Sequence, residues 1–186
     1  MATSRENANP TDPKVAYIIS GPESSGNRLL AGILVRSGCA GEGSHNQPHQ
    51  PADIPSPDKH FVLIKHTGNE IRKWSPILKD HGYKYITVIV IIREPIANVS
   101  SMVARKHCRF YPSIYKDRTQ KIIDTLEAAK EVADHIEIIT YEGISEQFLK
   151  QWLPMIGLPY VAGPINLPGQ GIFDQITVQN YKHYQQ

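Results

Sequence analysis

The stretch that most constrains this fold is residues 15–37, which read VAYIISGPESSGNRLLAGILVRS. It opens with an apolar run, VAYII, that is short enough for a buried strand. A turn-forming segment, GPESSG, comes next, and it leads into a helix pattern that Gly38 is placed to end. A strand, a glycine-rich turn and a helix form a phosphate-binding geometry, because backbone N–H groups and the helix dipole face the anion. The helix face is formed by Leu29, Leu30, Ile33 and Leu34.

The two glycines of this turn, Gly21 and Gly26, match the first half of a Walker loop, GxxxxG. The second half is missing, because Asn27 and Arg28 stand where that motif has lysine followed by serine or threonine. A magnesium-nucleotide site would therefore lack its lysine and its metal-binding hydroxyl. The glycines alone also fit an ordinary strand–turn–helix corner, so the phosphate interpretation depends on the rest of the chain.

The 186 residues suit one domain, with residues 1–14 as a flexible amino-terminal arm and residues 15–186 as the domain. The formal net charge of +2 shows no basic bias that would indicate a nucleic-acid partner. Two cysteines without metal-binding spacing favour free thiols in a reducing compartment. The first residues are polar, and the longest apolar run, 86–92, is too short for a bilayer. The sequence therefore predicts a cytoplasmic protein without membrane contacts.

The segment of residues 39–59 has no periodicity and contains four prolines, so we expect a long loop. His45 and His49 would need a helix to share a metal ion, and the prolines oppose a helix. No third ligand is in pattern, and we therefore expect no metal site.

The remaining chain alternates between strand and helix patterns. This alternation requires a parallel sheet covered on both faces, so we predict an α/β fold, a three-layer α/β/α arrangement with a central parallel sheet. Segment 85–92 is continuously apolar and β-branched, as expected of a central strand. Residues 61–64 and 136–141 are the other predicted strands. Helices are predicted at 69–81 with Asn69 as a possible cap, from Pro95, at 119–133 after a turn at 111–116, and at 144–156.

Polar residues follow these strands at the carboxyl edge, where open α/β sheets bind ligands. Lys65 and His66 follow one strand, and Arg93 follows the central one. The alternatives are a solvated turn for Lys65 and His66, and an ion pair with Glu94 or another carboxylate for Arg93. The densest basic cluster fits a solvated helix end at least as well as a substrate patch, and it comprises Arg105, Lys106, His107 and Arg109.

Several motifs together resemble the sulfotransferases that use PAPS (3′-phosphoadenosine 5′-phosphosulfate). Residues 18–30 resemble the family's phosphosulfate loop, G-x-P-R/K-S-G-T-T followed by apolar residues. Arg93-Glu94-Pro95, with Ser101 eight residues after the arginine, resembles its R-D-P…S signature. The segments ITYEGI (139–144) and MIGLP (155–159) are similar to its Y-E-D-L and F-L-G-L-P. Order and spacing agree over residues 15–159.

The resemblance implies a P-loop NTPase-like sulfotransferase fold and a reaction. A sulfonate group would move from PAPS to a hydroxyl or amine of a small-molecule or carbohydrate acceptor, without a metal. The turn would hold the 5′-phosphosulfate, and Arg93 and Ser101 would grip the 3′-phosphate. The predicted donor site comprises Gly21, Pro22, Glu23, Ser24, Ser25, Gly26, Asn27, Arg28, Arg93 and Ser101.

The catalytic residues implied by the resemblance are His66, Lys65 and Glu23. His66 is the first choice of base, although the family's cytosolic branch has K-T-H where this chain has Lys65-His66. Glu23 is the second choice, since other branches use a carboxylate. Ser24 replaces the basic residue of the loop, and Lys65 is the expected substitute cation. Two alternatives stay open, a non-catalytic protein that binds a 3′-phosphonucleotide and a P-loop nucleotide or nucleoside kinase.

Overall fold

The computed structural model of the chain describes residues 13–41 and 53–163. His45 and His49, most of the predicted amino-terminal arm and the polar tail lie outside the described residues. No helix within these two ranges is long and apolar enough to cross a membrane. The strands are β1 Val15–Ser20, β2 Ala40–Gly41, β3 Phe61–Ile64, β4 Tyr85–Ile92 and β5 His135–Thr140. The helices are α1 Asn27–Arg36, α2 Gly68–Asp80, α3 Pro95–Ala104, α4 Ile114–Val132 and α5 Glu146–Met155.

The five strands form one parallel sheet in the order β2-β3-β1-β4-β5. The first strand lies in the middle, with Ala16 opposite Phe61 on β3 and opposite Ile86 on β4. β4, the most apolar segment of the chain, is an interior strand as predicted. The carboxyl ends of β3, β1 and β4 therefore lie side by side, and the segments that follow them share one edge of the sheet.

Alternate residues of the interior strands enter two apolar cores, one on each face of the sheet. On one face Tyr17 and Ile19 belong to the core that includes residues of α1 and α5. On the other face Ile18 packs in the core that contains Trp74 of α2 and Ala128 of α4. The predicted arrangement of a parallel sheet between two helical layers is confirmed.

Several predicted boundaries differ from the structure. The helix predicted from Ile144 begins at Glu146, after a short 3-10 helix at Tyr141–Gly143. The predicted loop at 39–59 begins with β2, because Ala40 donates its N–H to the carbonyl oxygen of His60 at 2.7 Å and extends the sheet. The cap of α2 is Thr67 and not Asn69, since Thr67 and Glu70 form a reciprocal capping box. The predicted turn at 111–116 and the helix start at 119 are wrong as well. α4 begins at Ile114, whose fully buried side chain anchors an otherwise polar first turn.

Candidate functional site

The turn between β1 and α1 contains two residues in the left-handed region. Ser24 has a φ of 64°, and Gly26, the N-cap of α1, has a φ of 95°. A non-glycine residue with positive φ is uncommon, and such strained positions cluster at ligand-binding turns. Gly26 provides no side-chain cap for α1, so the first N–H groups of the helix keep their capacity to bind an anion.

Two side chains from the segment after β4 hold this turn in place. Asn98 of α3 donates from Nδ2 to the carbonyl oxygen of Glu23 at 2.7 Å and to Ser25 Oγ at 3.1 Å. Arg93 donates from Nη1 to the carbonyl oxygen of Ser24 at 3.1 Å. The guanidinium also stacks on the ring of Tyr141, 4.5 Å from its centroid. The structure thus brings Arg93, one of the predicted site residues, into contact with the turn and places Asn98 beside it.

The residue at the Walker lysine position, Asn27, points back into the turn. Its Nδ2 donates to the carbonyl oxygen of Gly21 at 3.2 Å, which ties the start of α1 to the end of β1. Asn27 is buried, whereas Arg28, the next residue, is exposed on the first turn of α1. A neutral amide therefore takes the place where a nucleotide-hydrolysing enzyme carries its phosphate-binding ammonium group.

His66 lies beside Asn27, with 3.4 Å between His66 Nδ1 and Asn27 Nδ2. Because Asn27 Nδ2 is a donor, the contact suits an imidazole whose Nδ1 accepts. A neutral imidazole whose Nδ1 accepts carries its ring N–H on Nε2. The backbone of His66 is held as well, since its N–H donates to Glu70 Oε2 at 3.1 Å. In this arrangement a neutral His66 offers an N–H donor to a ligand.

Lys65 and His66 lie on opposite faces of the sheet edge. Lys65 is 4% exposed, and its Nζ lies 4.3 Å from the ring centroid of Trp74 on α2. His66 instead contacts the α1 side through Asn27, because successive residues of an extended strand point to opposite faces. From the sequence, both side chains are predicted at the reacting group, and the role predicted for Lys65 would require its ammonium group to leave Trp74.

Ser101 lies three residues after Asn98 on α3, one helical turn away. It is fully buried, and its Oγ has no hydrogen-bond partner among the described residues. Buried polar atoms without partners are rare in native proteins. Four more buried polar atoms without a partner among the described residues lie in or beside the β1–α1 turn. The five atoms are Ser20 Oγ, Ser24 Oγ, Asn27 Oδ1, Asn98 Oδ1 and Ser101 Oγ.

A carboxylate–imidazole pair lies on the exposed side of the turn. Glu23 Oε1 is 3.1 Å from Nδ1 of His107, which follows the end of α3. In the sequence, His107 belongs to a basic cluster, and nothing in that cluster indicates a contact with Glu23. The partners are 84 residues apart in the sequence, so no local pattern links them. The pair leaves a carboxylate, one of the residue types that act as general bases, on the exposed side of the β1–α1 turn.

The described part of the chain contains no group of three or more His, Cys, Asp or Glu side chains arranged to hold a metal ion. The chain matches no model of a known protein family and no curated protein.

Proposed function

We propose that this protein is a PAPS-dependent sulfotransferase. The observation that carries the proposal is the set of five buried polar atoms without partners around the β1–α1 turn. Leaving such atoms without partners costs about 1–3 kcal/mol each, so this edge is suited to a polar ligand that supplies the missing hydrogen bonds. The ordered sulfotransferase-like motifs give that ligand its chemical class, a nucleotide with a 5′-phosphosulfate and a 3′-phosphate.

The donor would lie across the turn and the start of α3. Backbone N–H groups of residues 23–28 would hold its 5′-phosphosulfate. Arg93 would bind the 3′-phosphate, because a guanidinium–phosphate contact is charge-assisted and geometrically specific. Ser101 Oγ is closed to solvent, so it reaches a phosphate oxygen only if the side chains around it open on binding.

Sulfonate transfer breaks the bond between sulfur and the 5′-phosphate oxygen while sulfur bonds to the acceptor oxygen or nitrogen. The acceptor proton must leave in the same step, and we assign it to the Glu23 carboxylate, which His107 orients. His66, with Nδ1 at Asn27 and its hydrogen on Nε2, would donate to a sulfonate oxygen and stabilise the developing charge. From the sequence, His66 is the first choice of base and Glu23 the second, and this assignment exchanges them.

Release of labelled sulfonate from radiolabelled PAPS, with water as the acceptor, tests the reaction. We expect the wild type to turn over PAPS. Glu23→Gln should lose about a hundredfold or more of this turnover while its affinity for the donor stays unchanged. Glu127→Gln, an exposed glutamate on α4, serves as the control and should keep wild-type turnover. His66→Ala should lower turnover less than Glu23→Gln does. If His66→Ala abolishes turnover and Glu23→Gln keeps it, His66 is the base.

A non-catalytic protein that binds a 3′-phosphonucleotide is the second candidate, and the contact of Lys65 with Trp74 favours it. Ser24 removes the basic residue of the loop, and Lys65 points away from the turn, so neither provides a cation at the sulfonate. Tight binding of adenosine 3′,5′-bisphosphate without turnover of PAPS by the wild type would select this candidate.

A further inference from the structure

The helix that follows the β1–α1 turn lacks the polar outer side of an ordinary surface helix. α1 reads NRLLAGILVR, and its only charged residues are the arginines near its two ends, Arg28 and Arg36. The side away from the sheet carries Leu29, Gly32 and Val35, which are half-buried and follow the spacing of one helix face. We call these three residues the outer stripe of α1. A helix that is apolar on all sides is normally covered on all sides.

The glycine of the outer stripe is unusual for its position. Gly32 lies in the middle of α1, where glycine is the least favourable residue after proline. Its φ is not positive, so the backbone conformation does not require glycine here. What glycine provides at this position is space, because another chain segment can approach the helix closely where no side chain stands. The outer stripe therefore has a notch between Leu29 and Val35.

The described part of the chain ends beside the outer stripe. Residues 156–163 lead from the end of α5 to the end of α1. A Cβ at Gly163, the last described residue, would lie 2.8 Å from Nη1 of Arg36, the last residue of α1. The residues after Gly163 therefore begin at the carboxyl end of α1.

Outside the described ranges, only residues 164–186 can supply large aliphatic side chains. Residues 1–12 and 42–52 contain no isoleucine, leucine, valine or phenylalanine. The segment directly after Gly163 reads PINLP, with Ile165 and Leu167 between two prolines. Proline favours extended backbone at its own position and at the preceding one. In an extended segment Ile165 and Leu167 share one side, so this sequence predicts a segment with one apolar side.

We propose that residues 164–168 lie extended along the outer stripe of α1, antiparallel to the helix. At about 3.3 Å per residue, Ile165 would lie about 7 Å and Leu167 about 13 Å beyond the last described residue. At 1.5 Å per residue, Gly32 lies about 6 Å and Leu29 about 10 Å from the end of α1. Ile165 would therefore fill the notch at Gly32, and Leu167 would pack on Leu29. These contacts remove apolar surface of both partners from water.

The segment would also connect the carboxyl-terminal part of the chain to the candidate site. α1 begins at the β1–α1 turn, so a segment that follows the helix backwards ends near Arg28. Residues after Pro168 would then start at the carboxyl edge of the sheet. The proposal depends on α1 and the sequence after Gly163, and it does not depend on the proposed function.

Methyl NOEs, measured by NMR on the full chain, test the contacts directly. We expect NOEs from the methyl groups of Ile165 to those of Val35 and from the methyl groups of Leu167 to those of Leu29. Ile176, outside the segment, serves as the control and should show neither. Absence of both expected NOEs would overturn the proposal. NOEs that arise only between differently labelled copies in a mixed sample would overturn it too, because a second copy would then cover α1.

A substitution in the notch gives opposite results for a covered and an uncovered helix. Glutamine is a better helix former than glycine, so Gly32→Gln would raise the urea midpoint if the outer stripe faced water. We expect a lower midpoint, because the new side chain displaces Ile165. In an Ile165→Asp background, where the segment is already displaced, Gly32→Gln should raise the midpoint. A raised midpoint in the single variant would overturn the proposal.

Ile165→Asp itself provides a second criterion if Gly32→Gln does not fold. It should lower the urea midpoint, because an aspartate cannot fill an apolar notch without losing its hydration. Ile176→Asp makes the same change outside the segment and should lower the midpoint less. Equal midpoints for Ile165→Asp and the wild type would contradict docking of the segment on α1.

Discussion

Gly26 lies where the turn, the helix start and the ring of Tyr141 meet. Its φ of 95° suits glycine, and a Cβ at this position would overlap the Tyr141 ring. A glycine in such a turn also lets a ligand approach the backbone closely. The packing against Tyr141 gives Gly26 a structural role, because the Arg93 guanidinium stacks on the same ring, 4.5 Å from its centroid.

Gly38 offers a matched control for this position. Its φ is 105°, but an added Cβ would meet nothing within 4 Å. Gly38→Ala should therefore cost only the backbone term of about 1 kcal/mol. Gly26→Ala should cost about 1–3 kcal/mol more in free energy of unfolding, because the new methyl group displaces the ring. Urea denaturation of both variants measures the difference, and equal losses would contradict the role of Tyr141.

The sequence predicts some residues of the site and misses others for a physical reason. Arg93 and His66 are predictable, since each lies within two residues of the end of an apolar strand and parallel strands end at one edge. Asn98 and His107 leave no such signal. Their contacts with Glu23 span 75 and 84 residues and depend on how α3 lies against the turn.

At the scale of elements, the apolar strands are predictable, whereas the helix starts are predictable only in part: α3 begins at Pro95 as predicted, and α2 and α4 differ in cap or start. Strand periodicity follows from burial on both faces, and the four longer strands lie within one residue of their predicted bounds. Helix starts depend on single side-chain contacts, such as the capping box of Thr67 and Glu70. The start of α4 is mispredicted because its first turn, IYKD, contains only one aliphatic residue, Ile114, and therefore shows no apolar periodicity.

The cap of α2 is expected to influence the site as well as the fold. Thr67→Ala and Ser145→Ala each remove an N-cap that accepts a backbone N–H, and each should cost about 1 kcal/mol of stability. Glu70 Oε2 accepts from Thr67 Oγ1 and from the backbone of His66, so only Thr67→Ala loosens His66. We expect lower PAPS turnover in Thr67→Ala and unchanged turnover in Ser145→Ala. Similar turnover in both variants would contradict a link between the cap and His66.

At the scale of the whole molecule, one thiol is expected to report global unfolding. Burial raises the pKa of Cys39 to about 12, so its thiol is neutral and unreactive below that pH while the protein is folded. Cys108 is half-buried, and Cys108→Ser removes it as a competitor. Labelling of that variant with a thiol reagent at pH 8 should be slow in buffer and fast beyond the urea midpoint. Rapid labelling in buffer would contradict the buried position of Cys39.

The proposed function requires that a 3′-phosphonucleotide binds at the carboxyl edge of the sheet, and calorimetry measures that binding. The wild type should bind adenosine 3′,5′-bisphosphate more tightly than ATP. Arg93→Ala should lower bisphosphate affinity by at least about tenfold, because the 3′-phosphate contact is lost. Adenosine 5′-phosphate affinity should fall by a smaller factor, which reflects only the loss of the Arg93 bond to the carbonyl oxygen of Ser24 in the turn. Arg109→Ala, in the exposed basic cluster, should leave both affinities unchanged. Tighter binding of ATP by the wild type, or equal losses for the two ligands in Arg93→Ala, would contradict the account.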